Sequence, residues 1–70
     1  MTFRQLCNGY HVATSGMTDD EYVIRTRPLG DGWMAINDTE GIVLATGIKD
    51  FAEAKDVCES YDKLVMEAIV

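Results

Sequence analysis

Seventy residues carry twelve acids against six bases, one histidine and two cysteines, for a formal net charge of -6. That length is one domain over residues 1–70, below the ~100–150 residues typical of domains, and excludes a catalytic domain beside a binding domain or a two-halved dinucleotide fold. The charge argues against a module built to grip phosphates, because Arg4, Arg25, Arg27, Lys49, Lys55 and Lys63 are few and scattered, and nucleic-acid affinity comes chiefly from clustered Lys and Arg.

In chain order, Thr2–Gln5 reads as one helical turn, with Thr2 capping and Gln5 closing the box before Asn8-Gly9 ends it. The alternative is a hairpin turning at Asn8-Gly9. A strand over Tyr10–Thr14 follows. The run Glu21–Arg27 is β-branched and aromatic and stops at Pro28, the sole proline. Trp33–Ile36 comes after the Gly30-Asp31-Gly32 turn, and Ile42–Thr46 after Asp38–Gly41, whose final glycine suits a type I turn with a bulge.

All six glycines precede residue 48, and a long helix fills the rest. Asp50 sits at its N-cap with Glu53 three residues on. Phe51, Ala54, Val57, Cys58, Tyr61, Leu64, Val65, Ala68 and Ile69 then recur at helical spacing, as a core-facing stripe requires. Short loops between strands imply an antiparallel β-meander of three to four strands with the C-terminal amphipathic helix across one face, an α+β two-layer fold.

A search for chemistry returns mostly negatives. His11 has no nucleophile or orienting carboxylate near it in the chain. Cys7 and Cys58 are too few for a disulfide scaffold or a zinc site and read as small thiols of a reducing compartment; a Cys7–Cys58 bridge is the alternative. Neither phosphate-binding glycine motif occurs, and Asp38–Gly41 lacks the ligands of a calcium loop. Asp19-Asp20-Glu21 reads as a solvated turn, with a cation site as the alternative. No cofactor, metal site or catalytic residue is expected. No apolar run approaches the ~20 residues of a spanning helix, and no signal-peptide pattern opens the chain, so it reads as cytoplasmic.

Two features point to partners. Residues 50–70 hold six carboxylates against two lysines. Among them Glu53, Asp56 and Glu67 cluster on one flank of the helix, with Glu59 and Asp62 nearer its far side. The bland reading is a solvated face that keeps a tiny protein in solution; the sharper one is a surface complementary to a basic groove. Secondly, Trp33–Ile36 and Ile42–Ala45 are apolar at every position, which suits strands buried on both faces. One helix covers one face. The other needs the N-terminal segment, a second copy of the chain or a partner. Trp33 reads as core or as the rim of that second face, and it and Met34 are the anchors expected if a partner docks on the sheet. Arg25 and Arg27 share a strand face and could receive a partner's anion or pair with Asp31 or Glu40.

A tiny acidic domain without catalytic motif, metal site or tail resembles the small phage accessory proteins of the anti-CRISPR and host-takeover kind. The likeness rests on size, charge and architecture and carries over no residue. It implies a non-enzymatic inhibitor, acting in the host cytoplasm on a larger host protein or nucleoprotein complex without touching nucleic acid or membrane. Tyr22–Ile24 through Gly32-Trp33, Gly47 and the helix start Phe51–Ala54 are also similar to the strand-turn-strand-helix of HicB-type antitoxins, over residues 22–68. The chain departs from that family in lacking the proline-rich stretch after the second strand and an appended DNA-binding domain. What remains implied is an antitoxin-like or regulatory subunit acting through its sheet. An enzyme or sensor with a pocket between monomers is a third class.

Overall fold

The computed structural model describes residues 1–27, 30 and 32–69. Five strands form one antiparallel sheet in sequential order: β1 (Arg4–Cys7), β2 (Tyr10–Thr14), β3 (Glu21–Thr26), β4 (Trp33–Asn37) and β5 (Ile42–Ile48). A helix, α1 (Phe51–Ile69), closes one face by packing on β3, β4 and β5. The α+β class and the C-terminal helix match the sequence pattern; the strand number exceeds the expected three to four.

The extra strand comes from the N-terminus. Residues 4–7 are not a helical turn but the first arm of a hairpin, paired Arg4↔Val12, Gln5↔His11 and Cys7↔Tyr10. One helical turn fixes several residues for a single hydrogen bond, whereas the extended chain joins a ladder and turns Phe3 towards Phe51, with ring centroids 5.9 Å apart. Gly9 makes the turn with φ +74, and a Cβ there would lie 2.7 Å from Thr26 Oγ1, so a side chain at this position strains the backbone and displaces Thr26. Pro28, Leu29 and Asp31, and with them the expected strand end and the middle of the Gly30–Gly32 turn, lie outside the described residues.

The core is Tyr22, Ile24 and Ala35 from the sheet with Ile48, Ala54 and Cys58, and Met1, Phe3, Trp33 and Phe51 pack around it. Alanines at 35 and 54 and the small Cys58 belong to this cluster, so the two layers approach closely. Cys58 is a free thiol in the core and Cys7 a free thiol on exposed β1, so no bridge joins them.

The helix lies differently from the plain apolar stripe. Its fully covered positions are Ala54, Cys58 and Asp62, while Leu64, expected in the stripe, is 64 % exposed. At 100° per residue this is a roll of the buried face by roughly 50° towards Asp62 and Glu59, away from the flank of Glu53, Asp56 and Glu67. Asp50 caps the helix as expected, its Oδ1 accepting from the Glu53 amide at 2.8 Å.

Candidate functional site

Asp62, expected on the acidic outer surface, is instead 1 % exposed. The hydroxyls of Ser15, Thr18 and Tyr22 donate to its carboxylate at 2.5, 2.7 and 2.9 Å. Ser15 and Thr18 belong to the β2–β3 loop, where the Ser15 hydroxyl also accepts from the amides of Met17 and Thr18 at 3.1 Å each. Burial by itself pushes the Asp62 carboxyl up. The three hydroxyls, with the ammonium of Met1, outweigh it and hold the group below its ordinary value. Burial, then the bond to Asp62, pushes the Tyr22 phenol well above its usual range. Beside this network, Asn37 is buried, donating to Asp20 Oδ2 and accepting from the Glu40 amide, both at 2.9 Å. These groups have their partners and clamp the loops to the helix.

Glu59 is also drawn away from the outer surface: it is half-buried and meets the Met1 ammonium at 3.1 Å. Glu53, Asp56 and Glu67 remain exposed on the ridge opposite the core, and no ion pair engages them among the described residues. The ridge runs about 21 Å from residue 53 to 67 at 1.5 Å per residue. Leu64 lies beside it. That leucine is an apolar anchor that periodicity had assigned to the core, and only the roll of the helix exposes it.

Trp33 does not reach the open face of the sheet. It stands on the helix side, its ring 5.7 Å from those of both His11 and Phe51. The same register puts Met34 on the open face, opposite Arg25. A cross-strand row spans that face, Arg4–Val12–Val23–Ile36–Val43, each residue paired with the next. Leu6 and Val43 are 56 % and 52 % exposed. The N-terminal segment does not roof this surface. β1 lengthens the sheet, with a bulge between Gln5 and Cys7, and borders a groove of about 440 Å³ lined by Arg4, Leu6, Tyr10, Val12 and Val23.

Burial, then the nearby charge of Glu59, pushes the Cys58 thiol up to about 12, so it is no nucleophile. Among the described residues no cluster of His, Cys, Asp and Glu could hold a metal ion, and no helix is long and apolar enough to cross a membrane. What the geometry offers is two surfaces on opposite layers, an acidic helix ridge and an apolar sheet face bearing Arg4 and Arg25. No protein-family model, curated protein or solved structure matches the chain.

Proposed function

We propose that this protein is a non-enzymatic interaction module, an inhibitor of the phage accessory kind that occupies a basic, nucleic-acid-binding surface of a larger host machine such as a CRISPR effector. The observation that carries the reading is the row of exposed carboxylates: Glu53, Asp56 and Glu67 stand on the outer helix ridge, with Lys63 among them, and no ion pair engages the three acids among the described residues; Arg4 and Arg25 lie on the far side of the sheet. A row of carboxylates on a rigid helix presents to a Lys- and Arg-lined channel the charge that phosphates would, and Leu64 supplies a desolvated contact beside it.

The test is competition. Purified effector ribonucleoprotein should lose binding to its target DNA as the protein is added, with potency falling as salt is raised. Reversal of Glu53, Asp56 and Glu67 together to lysine should weaken inhibition at least about a hundredfold, with the fold intact by circular dichroism. Undiminished DNA binding at saturating protein, or equal potency of the reversed variant, would refute the reading.

A second reading, an antitoxin-like or regulatory subunit that binds its partner through the sheet, draws on the apolar face where Val12, Ile36 and Met34 are half-buried and Leu6 and Val43 exposed. Under it Met34→Asp abolishes partner binding and the helix reversals do not.

A further inference from the structure

We infer that Asn8 is a site of spontaneous covalent modification: its side chain and the Gly9 nitrogen close to a succinimide that opens to aspartate and isoaspartate, and the isoaspartate detaches β1 from the sheet. The chain has two asparagines, Asn8 and Asn37, and the fold treats them oppositely. Asn8 is exposed in the turn between β1 and β2. Among the described residues no hydrogen bond engages its side chain or the Gly9 N–H. Asn37 is fully buried, its side-chain amide donating to Asp20 Oδ2 and its side-chain carbonyl accepting from the Glu40 amide. The nitrogen Asn37 would have to capture, that of Asp38, already donates to the Glu21 carbonyl at 2.8 Å.

The chemistry needs water and hydroxide alone. Hydroxide removes the proton of the Gly9 amide, and the nitrogen's electron pair bonds to the side-chain carbonyl carbon of Asn8. The carbon–nitrogen bond of the side-chain amide breaks, and ammonia leaves with a proton from water. Water then opens the ring at one of its two carbonyls. Attack at the side-chain carbonyl restores the ordinary main chain as aspartate. Attack at the main-chain carbonyl gives isoaspartate, whose main chain runs through the former side chain and is one methylene longer. One water is taken up and one ammonia released. A side chain on the following residue crowds the attacking nitrogen, and Gly9 has none.

Ring closure rotates the peptide between residues 8 and 9, so the turn has to open. The hairpin permits this, because β1 is four exposed residues that contact no element but β2, and arms held by one ladder open at small cost. The segment ahead of it stays anchored, Phe3 on Phe51 and the Met1 ammonium on Glu59. An extra methylene at residue 8 mismatches the two-residue link that sets Cys7 opposite Tyr10, and it displaces Gly9, whose carbonyl accepts from the Thr26 amide at 3.0 Å. Since β1 supplies Arg4 and Leu6 to the groove on the open sheet face, isoaspartate removes one wall of that groove. The helix ridge is untouched.

Peptide mapping by mass spectrometry of folded protein held under mildly alkaline conditions tests the site. The tryptic peptide Gln5–Arg25 should gain about 1 Da as an NH2 becomes an OH. Fragment ions should place the gain at Asn8 and resolve aspartate and isoaspartate. The peptide Thr26–Lys49, which carries Asn37, should convert at least about tenfold more slowly. Conversion of Asn8 in the folded chain should run at no less than about a hundredth of its rate in urea; anything slower overturns the inference. Asn8→Ser should abolish the gain, and a gain that persists in this variant, or equal rates at the two asparagines, overturns it too. Hydrogen exchange tests the consequence. The isoaspartate form, separated by chromatography, should lose protection at the β1–β2 amides, whereas Asn8→Asp, with an ordinary main chain, should keep it. Retained protection in the isoaspartate form overturns the detachment of β1. These readouts involve no partner, so their outcome is independent of the competition test above.

Discussion

Asp62 occupies a position where the heptad-like spacing of the helix and the chemistry of its neighbours pull in opposite directions. By hydropathy an aspartate belongs outside, yet here three hydroxyls donate to it within the interior. Charge-assisted bonds of this kind contribute about 1.5–3 kcal/mol each when intact, and a carboxylate left without them would be costly. Asp62→Ala should therefore destabilise the chain by about 2–4 kcal/mol in urea melts, because three hydroxyl protons lose their acceptor. The folded-state carboxyl is held below its ordinary value. The stability it adds is accordingly complete above roughly pH 5, and it is lost as the pH falls below about 4, through the folded-state pKa. The gap in urea midpoint between wild type and Asp62→Asn should close over that acid range. A gap that stays constant down to acid pH would show that the charge of Asp62 contributes nothing. Nothing in the sequence near residue 62 signals this role, because Ser15, Thr18 and Tyr22 lie more than forty positions away or, for Tyr22, 40.

At the scale of elements, the first hairpin and the helix show how tertiary contacts outvote local preference. Thr2–Gln5 satisfies a helical capping pattern, but Gly9 with its φ of +74 and the ladder to β2 make the segment a strand. Gly32 matters for a different reason. A Cβ on it would stand 2.6 Å from the Ile48 carbonyl oxygen, at φ +102. Gly32→Ala should cost at least about 2 kcal/mol, because backbone atoms cannot yield as a side chain can; a melting temperature within a degree or so of wild type would contradict the close packing of β4 on β5. The roll of the helix makes a paired forecast. Ala54→Leu, at a fully covered position, should destabilise by about 1–3 kcal/mol through overpacking. Leu64→Ala, on the solvent side, should change stability by less than about 0.5 kcal/mol. If the plain apolar stripe governed the packing, Leu64→Ala would instead be the damaging change.

For the whole molecule, the acidic ridge lies on the helix layer and the apolar row on the opposite face of the sheet, so a partner held by one surface leaves the other uncovered. Trp33, read as core or as the rim of the open face, lies on the core side against His11 and Phe51, and Met34 lies on the other face, opposite Arg25. Of the five helix acids expected to face a partner, Glu53, Asp56 and Glu67 stay outside, and Glu59 and Asp62 turn towards the N-terminus and the β2–β3 loop. By itself the chain determined the α+β class, the extent of the helix, its Asp50 cap and most strands, because periodicity, capping and turn glycines act within a few residues of each other. The tertiary structure alone decided for the N-terminal hairpin over a helical turn, and it decided the roll of the helix, the burial of Asp62 and the face that Trp33 joins. Those depend on register and on partners brought together from distant positions, and a one-residue change of register moves every side chain of a strand to the opposite face.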